Sequence, residues 1–189
     1  MSARQAIVFG CSAGGLSALQ QVLPGLDRRL AVPVVICCHT GSSDVSLLVE
    51  LLARVSALPV IEAQERAPID PGVVHVAPSG YHLLIEPSLH FSLSIDAKVA
   101  YARPSIDVLF ETAADAWREG LVAVLMTGAN SDGANGLAEV REAGGYALVQ
   151  DPLTAEADVM PRAGLERAGA DACLPLDAIA ARLNELCLT

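Results

Sequence analysis

Aromatic residues are scarce in this chain, 4% of it, with one Trp, three Tyr and three Phe. Its core must therefore be assembled from Ala, Val, Leu and Ile, and the 52% hydrophobic content supplies ample material for one. Basic residues are few: 12 against 22 acidic, with Lys98 the only lysine, for a net charge of −10. That balance opposes binding to nucleic-acid phosphates or anionic lipid, and the densest cationic pair, Arg28–Arg29, makes no basic patch. No apolar run approaches the roughly 20 residues that span a bilayer. The N-terminus also lacks a signal-peptide apolar region followed by a small-residue cleavage site. The five cysteines (Cys11, Cys37, Cys38, Cys173 and Cys187) have no CxxC spacing, which fits small reduced residues better than ligands or disulfides. With 18% charged residues and so much apolar material, a disordered chain is excluded. The expectation is a soluble, cytoplasmic protein without membrane insertion, forming a single domain over residues 1–189.

Apolar β-branched runs alternate with helical patterns along most of the chain. Strands are expected at Gln5–Gly10, Val32–Cys38 and Leu58–Ala63, with helices at Gly14–Leu26 and Ser42–Ser56 between them. Ser42, Ser43 and Asp44 are all suited to cap the second helix. These strand runs are continuous rather than alternating, as in parallel strands covered on both faces. The middle changes character: Gly72–Pro78, Tyr81–Glu86 and Leu89–Ile95 read as short strands of an antiparallel meander or hairpin. Alternation then resumes with a helix near Ser105–Glu119, a strand at Leu121–Thr127 and a helix near Gly133–Ala143. A strand at Gly145–Gln150, a helix at Pro161–Ala168, a strand at Ala172–Leu174 and a helix at Leu176–Leu186 complete the pattern. The fold class is α/β: a doubly wound, mainly parallel sheet flanked by helices, with a small antiparallel β insert.

The first strand ends in Gly10-Cys11-Ser12-Ala13-Gly14-Gly15 and runs at once into a helix. This is G-x-S-x-G in the strand–turn–helix setting of a nucleophile elbow, which lifts a serine hydroxyl above the sheet near helix N-terminal amides. A plain tight turn and a phosphate-binding loop are the rival readings. The dinucleotide version also expects an acid after the second strand, and that strand ends instead in His39. Parallel topology brings strand carboxyl ends to one crevice, so Ser12 and His39 are placed as nucleophile and general base. An acid at a third strand end is Asp132, in the glycine-rich loop after Leu121–Thr127; its bland role is to cap the helix that follows. His75, His82 and His90 have no Cys, Asp or Glu spacing that completes a metal site, and are read as sheet residues.

Several motifs together carry a family resemblance. G-C-S-A-G-G, C-H-T, V-A-P-S-G-Y-H, P-S-I-D-V-L-F, L-M-T-G-A-N-S-D-G-A-N-G, Q-D-P and M-P-R-A occur in that order from about Ile7 to Leu183. The chain thereby resembles the chemotaxis receptor methylesterase family (CheB-type catalytic domain). The resemblance implies a triad of Ser12, His39 and Asp132 and hydrolysis of glutamyl methyl esters on chemoreceptors to glutamate and methanol, with glutamine deamidation as a second activity. It implies no metal and no organic cofactor. The partners it implies are the cytoplasmic domains of methyl-accepting chemoreceptors or a related signalling protein. Ala13, Gly14, Ala129, Asn130 and Met160 fall where the family holds the oxyanion and substrate. The chain departs from the usual pattern at Ala13 (usually Thr or Ser), His39-Thr40-Gly41 (His-Met-Pro), Ala129 (Met) and Val159 (Gly). The receiver domain that commonly precedes such a domain is not in this sequence, so regulation by aspartyl phosphorylation within it is not expected.

Two rivals stay open at this level: a catalytically silent interaction domain, favoured by those departures, and a nucleotide-binding protein using the Gly10–Gly15 loop. An acidic enzyme acting on an acidic receptor helix gains nothing from long-range attraction, which leaves docking to a local basic patch.

Overall fold

The computed structural model describes residues 4–41 and 44–188. Seven strands make one parallel sheet: β1 (Ala6–Cys11), β2 (Val34–Cys38), β3 (Val60–Glu62), β4 (Val74–Val76), β7 (Leu121–Leu125), β8 (Tyr146–Gln150) and β9 (Ala172–Leu174). β5 (His82–Ile85) and β6 (Phe91–Ser94) form a separate antiparallel hairpin. The helices are α1 (Gly15–Val22), α2 (Ser46–Ala53), α3 (Ile106–Trp117), α4 (Ala134–Glu142), α5 (Val159–Arg167) and α6 (Leu176–Cys187).

The strand order is β3-β4-β2-β1-β7-β8-β9. β1, β2 and β7 are buried along their whole length, which is why their sequences are uninterrupted apolar runs. Ile7, Phe9 and Cys11 of β1 share one core with residues of α1, α2 and α6. Ala6 and Val8 enter the other, packed with α3, α4 and Met160 of α5. On that second face Gly10 lets α3 come close, since a Cβ there would collide with Ile106 Cγ2.

Three expectations need correction. The segment expected as Gly72–Pro78 contributes β4, which pairs in parallel with both β2 and β3, so only the next two runs make the antiparallel insert. All three β4 residues are buried, and a strand that short carries no alternation to reveal its partners. The first helix ends at Val22 and tightens into a 3₁₀ turn over Leu23–Gly25, where Pro24 cannot donate to the helical ladder. The second helix starts only at Ser46, whose N–H donates to Asp44 Oδ1 at 2.7 Å. The proposed caps Ser42 and Ser43 lie outside the described residues.

No helix among the described residues is long and apolar enough to cross a membrane.

Candidate active site

β1 and β7 are neighbours, but β2 lies beyond β1 and β8 beyond β7. The chain therefore winds away in opposite directions from this pair, and a crevice opens at their carboxyl ends. Hydrogen bonding continues past the strands and fixes the crevice walls. Ser12 N–H donates to the Thr127 carbonyl at 2.9 Å, and His39 N–H donates to the Cys11 carbonyl at 3.0 Å. Ser12, His39 and the loop after β7 are thus held on one edge. Ser12 then enters α1 through Gly14, whose φ of 76° is the left-handed turn that glycine tolerates.

Asp132 is fully buried at the floor of this edge. Its Oδ2 lies 2.8 Å from His39 Nε2 and accepts the Ile106 N–H at 2.7 Å. Its Oδ1 accepts the Ser105 hydroxyl at 2.8 Å and the Asp107 N–H at 3.0 Å. The carboxylate thus sits on the amino end of α3, where amides and the helix dipole favour negative charge. Burial pushes the Asp132 carboxyl up, but the hydrogen bonds from His39, Asp107, Ile106 and Ser105 outweigh it and hold it below the ordinary aspartate range. Capping of α4 falls to Gly133, with no side-chain cap. The bland reading of Asp132 therefore finds no support in its contacts.

With Nε2 committed to Asp132, Nδ1 is the His39 nitrogen left for a serine. This reverses the familiar assignment in which Nδ1 faces the carboxylate. Ser12 and His39 line two adjoining clefts of about 300 Å³ and 490 Å³. The Ser12 hydroxyl carries no hydrogen bond to the imidazole among the described residues, a contact that in unliganded sites often closes only when substrate binds.

Thr127 joins the two loops that flank the serine. Its carbonyl holds the Ser12 amide, and its hydroxyl donates to the Ala13 carbonyl at 2.8 Å while accepting the Ala157 N–H at 2.9 Å. Its own N–H is held by buried Gln150 Oε1 at 2.9 Å. The Ala13 and Ala129 amides have no hydrogen-bond partner among the described residues, and both residues are exposed at the edge. Gly14 lines the smaller cleft and Asn130 the larger. Asn130 Oδ1 also accepts the Asp132 N–H at 3.1 Å.

Met160 is fully buried, its side chain packs against Gly128, and its N–H donates to the Gly128 carbonyl at 2.9 Å. It supports the Gly128 loop from below and lines neither of the two clefts. Because Thr127 fixes the Ala13 peptide, Thr127→Val is expected to lower kcat by roughly 10- to 100-fold, the scale of a sub-ångström misplacement. Thr127→Ser should restore most of it. Steady-state ester hydrolysis by the two variants checks this, and equal loss in both would reduce Thr127 to a packing role.

Sequence reasoning missed four buried polar residues around the site. Ser105 and Asp107 were visible only as a helix start within P-S-I-D-V-L-F, and Thr127 and Gln150 only as strand ends. His82, read as a sheet residue, is the first residue of β5, and in addition its Nδ1 accepts the Ser105 N–H at 3.2 Å and its Nε2 contacts the Ala97 carbonyl at 3.1 Å. It thereby links the carboxylate cradle to the loop before α3. His75 and His90 bond only backbone carbonyls, of Asp70 and Ser88.

Asp107 Oδ1 accepts the N–H groups of Gly133 and Gly136 at 2.9 Å and 2.7 Å, tying the Asp132 loop to α3. Burial pushes this carboxyl up, against the bonds it accepts. Asp107→Ala strands two buried amides and is expected to lower unfolding free energy by about 2–4 kcal/mol in urea titrations. Asp107→Asn keeps the acceptor and should stay within about 1 kcal/mol of wild type.

A parallel, doubly wound sheet whose strand-end serine shares a cleft with a carboxylate-held imidazole has the build of an α/β enzyme with its candidate site at the carboxyl edge of the sheet. Comparison with known proteins narrows that class. The CheB methylesterase family model matches residues 7–183, and the chain belongs to that family. A Leptospira interrogans relative, provisionally named protein-glutamate methylesterase/protein-glutamine glutaminase, is 47% identical over 176 residues, covering 93% of this chain and 91% of the relative. A Symbiobacterium thermophilum protein-glutamate methylesterase/protein-glutamine glutaminase is 37% identical over 177 residues, covering 94% of this chain but 49% of that longer protein. The crystal structure of the Thermotoga maritima CheB methylesterase catalytic domain superposes with a TM-score of 0.94 at 30% identity, covering 98% of this chain and 100% of that one.

Proposed function

We propose that this chain is a serine esterase that hydrolyses glutamyl methyl esters on chemoreceptor cytoplasmic domains, with Ser12, His39 and Asp132 as its triad. The observation that carries this is the 2.8 Å contact of His39 Nε2 with buried Asp132, in a cleft that Ser12 also lines. In the first half-reaction Ser12 Oγ attacks the ester carbonyl and His39 Nδ1 takes its proton. The tetrahedral intermediate collapses by breaking the bond to methoxide, which leaves as methanol with the proton from His39. Water, deprotonated by the same imidazole, then releases the glutamyl group and regenerates Ser12. Asp132 holds the tautomer and stabilises the imidazolium at each stage. The unpartnered amides of Ala13 and Ala129 are the candidates to bind the oxyanion. The same acyl transfer on a glutamine amide would release ammonia. None of these steps calls for a metal or an organic cofactor.

The test is methanol release from methylated chemoreceptor cytoplasmic fragments, run beside fluorophosphonate labelling of Ser12. Release with labelling supports the whole reading. Labelling without release leaves a working triad with another ester as substrate. Neither signal would favour a silent interaction domain.

A further inference from the structure

The larger of the two clefts beside Ser12 is basic, on a molecule whose net charge is −10. Its lining includes Lys98 and Arg103 and, among the described residues, no Asp or Glu. Elsewhere on the surface Arg29, Arg54, Arg66, Arg141, Arg162 and Arg182 stand beside carboxylates, while Arg4, Arg28, Arg118 and Arg167 are in no ion pair among the described residues. Neither Lys98 nor Arg103 is in an ion pair with any described residue.

Both cations stand on the loop before α3 and line the same cleft. Val99 and Ala102 exchange both backbone hydrogen bonds, Val99 N–H to the Ala102 carbonyl at 3.1 Å and Ala102 N–H to the Val99 carbonyl at 2.8 Å. Ala100 and Tyr101 between them have φ of 48° and 64°. This is the two-residue turn that normally takes Asn-Gly, here built from two residues that disfavour the left-handed region. Lys98 and Arg103 flank the bridged pair and so lie on opposite legs of the turn.

Arg103 is also held in place. Its Nη1 donates to the Ile95 and Asp96 carbonyls at 2.7 Å and 2.9 Å, leaving Nη2 without a partner among the described residues. His82, bonded to Ser105 and to the Ala97 carbonyl, ties the same loop to the cradle of Asp132. The Arg103 guanidinium is therefore fixed relative to the triad. The smaller cleft is different in kind: Leu47, Leu48 and Leu51 line it, with Asp44.

Building on the methylesterase reading, we propose that Lys98 and Arg103 form an anion subsite that binds a carboxylate of the substrate polypeptide next to the esterified glutamate. A neutral methyl ester offers the cleft no charge, so an adjacent acidic side chain is the group these cations would select. The substrate is then a segment that carries a carboxylate beside its ester, presented ester first to Ser12.

The experiment uses two alanine-based helical peptides, each with one central glutamyl methyl ester. They differ only in having Glu or Gln four residues to either side, on the same helical face. At about 50 mM salt, wild type is expected to show a kcat/KM roughly 3- to 10-fold higher for the Glu-flanked peptide, the scale of two solvent-exposed ion pairs. The preference should shrink to the effect of one ion pair in Lys98→Met, vanish in Lys98→Glu, where the new carboxylate offsets Arg103, and contract near 1 M salt, where the Debye length is about 3 Å. Because the readout is a ratio between peptides, a general loss of activity in a variant does not imitate it. Equal rates by wild type would overturn the subsite and leave the methylesterase reading standing. If neither peptide releases methanol, the methylesterase reading fails, and fluorescence anisotropy with ester-free peptides still decides the subsite. There the Glu-flanked peptide must bind wild type more tightly than the Gln-flanked one. Equal binding would overturn it, as it would if the cations held only the product glutamate.

Discussion

Ser12→Ala is expected to lower methanol release by about 10³- to 10⁶-fold while leaving unfolding free energy within about 0.5 kcal/mol of wild type. The chemical half of this follows from where the proton goes. Without Oγ there is no nucleophile for His39 to activate, and only substrate positioning and oxyanion stabilisation by backbone amides remain. Those residual effects survive because the amides belong to the main chain. The stability half follows from the contacts. Ser12 contributes its N–H to the Thr127 carbonyl, a bond alanine keeps, and its carbonyl accepts the Gly15 N–H at 2.7 Å, also kept. Its hydroxyl makes no hydrogen bond among the described residues, so its removal strands no partner. Steady-state methanol release with urea unfolding measured on the same preparation checks both halves. A variant that retains ester hydrolysis would remove Ser12 from the chemistry altogether, and one that unfolds early would mean the elbow depends on the hydroxyl for its shape.

The sequence was legible where one residue type has one physical use. Continuous apolar runs marked β1, β2 and β7, because strands covered on both faces need apolar side chains at every position. Gly10 and Gly14 marked the elbow, because one meets α3 and the other takes a left-handed turn. Those runs and their end residues were enough to bring Ser12, His39 and Asp132 to one edge. What stayed hidden depends on partners distant in sequence. Ser105 and Asp107 read as an ordinary helix start, and only the fold turns that helix end toward Asp132. Thr127 and Gln150 look like strand termini, and nothing local shows that they bridge the loops flanking Ser12. Met160 was marked by a motif alone, and only the fold shows that it packs against Gly128 beneath the loop. Lys98 was conspicuous as the only lysine, yet its meaning came from a turn built on Ala100 and Tyr101, two residues that do not announce one.

Asp132→Asn should reduce kcat by about 10⁴-fold, the loss expected when a triad imidazole is held in the wrong tautomer. The substituted amide presents one oxygen and one NH₂. Each carboxylate oxygen accepts one backbone N–H, Oδ1 from Asp107 and Oδ2 from Ile106, so the amide strands one of them in either orientation; with oxygen kept at Oδ1, where the Ser105 hydroxyl also donates, the NH₂ turns toward His39 Nε2. Nε2 must then accept, which places the ring proton on Nδ1, the nitrogen that has to receive the serine proton. The same variant changes the pH dependence of folding. The Asp132 carboxyl lies below its ordinary value in the folded state, despite the burial that opposes this, because His39, Asp107, Ile106 and Ser105 donate to it. A depressed folded pKa contributes stability above the unfolded aspartate range of about 3.9, and that stability is lost as pH falls through the folded value. Wild type should therefore lose unfolding free energy below about pH 5 more steeply than Asp132→Asn. Asp107, whose carboxyl burial pushes up, titrates with the opposite sign. It is present in both proteins, so the difference between their slopes reports on Asp132. Urea titrations from pH 7 to pH 3 measure that difference. Parallel slopes would show that the buried carboxylate gains nothing from its cradle, and a kcat near wild type would show that His39 does not depend on it for its tautomer.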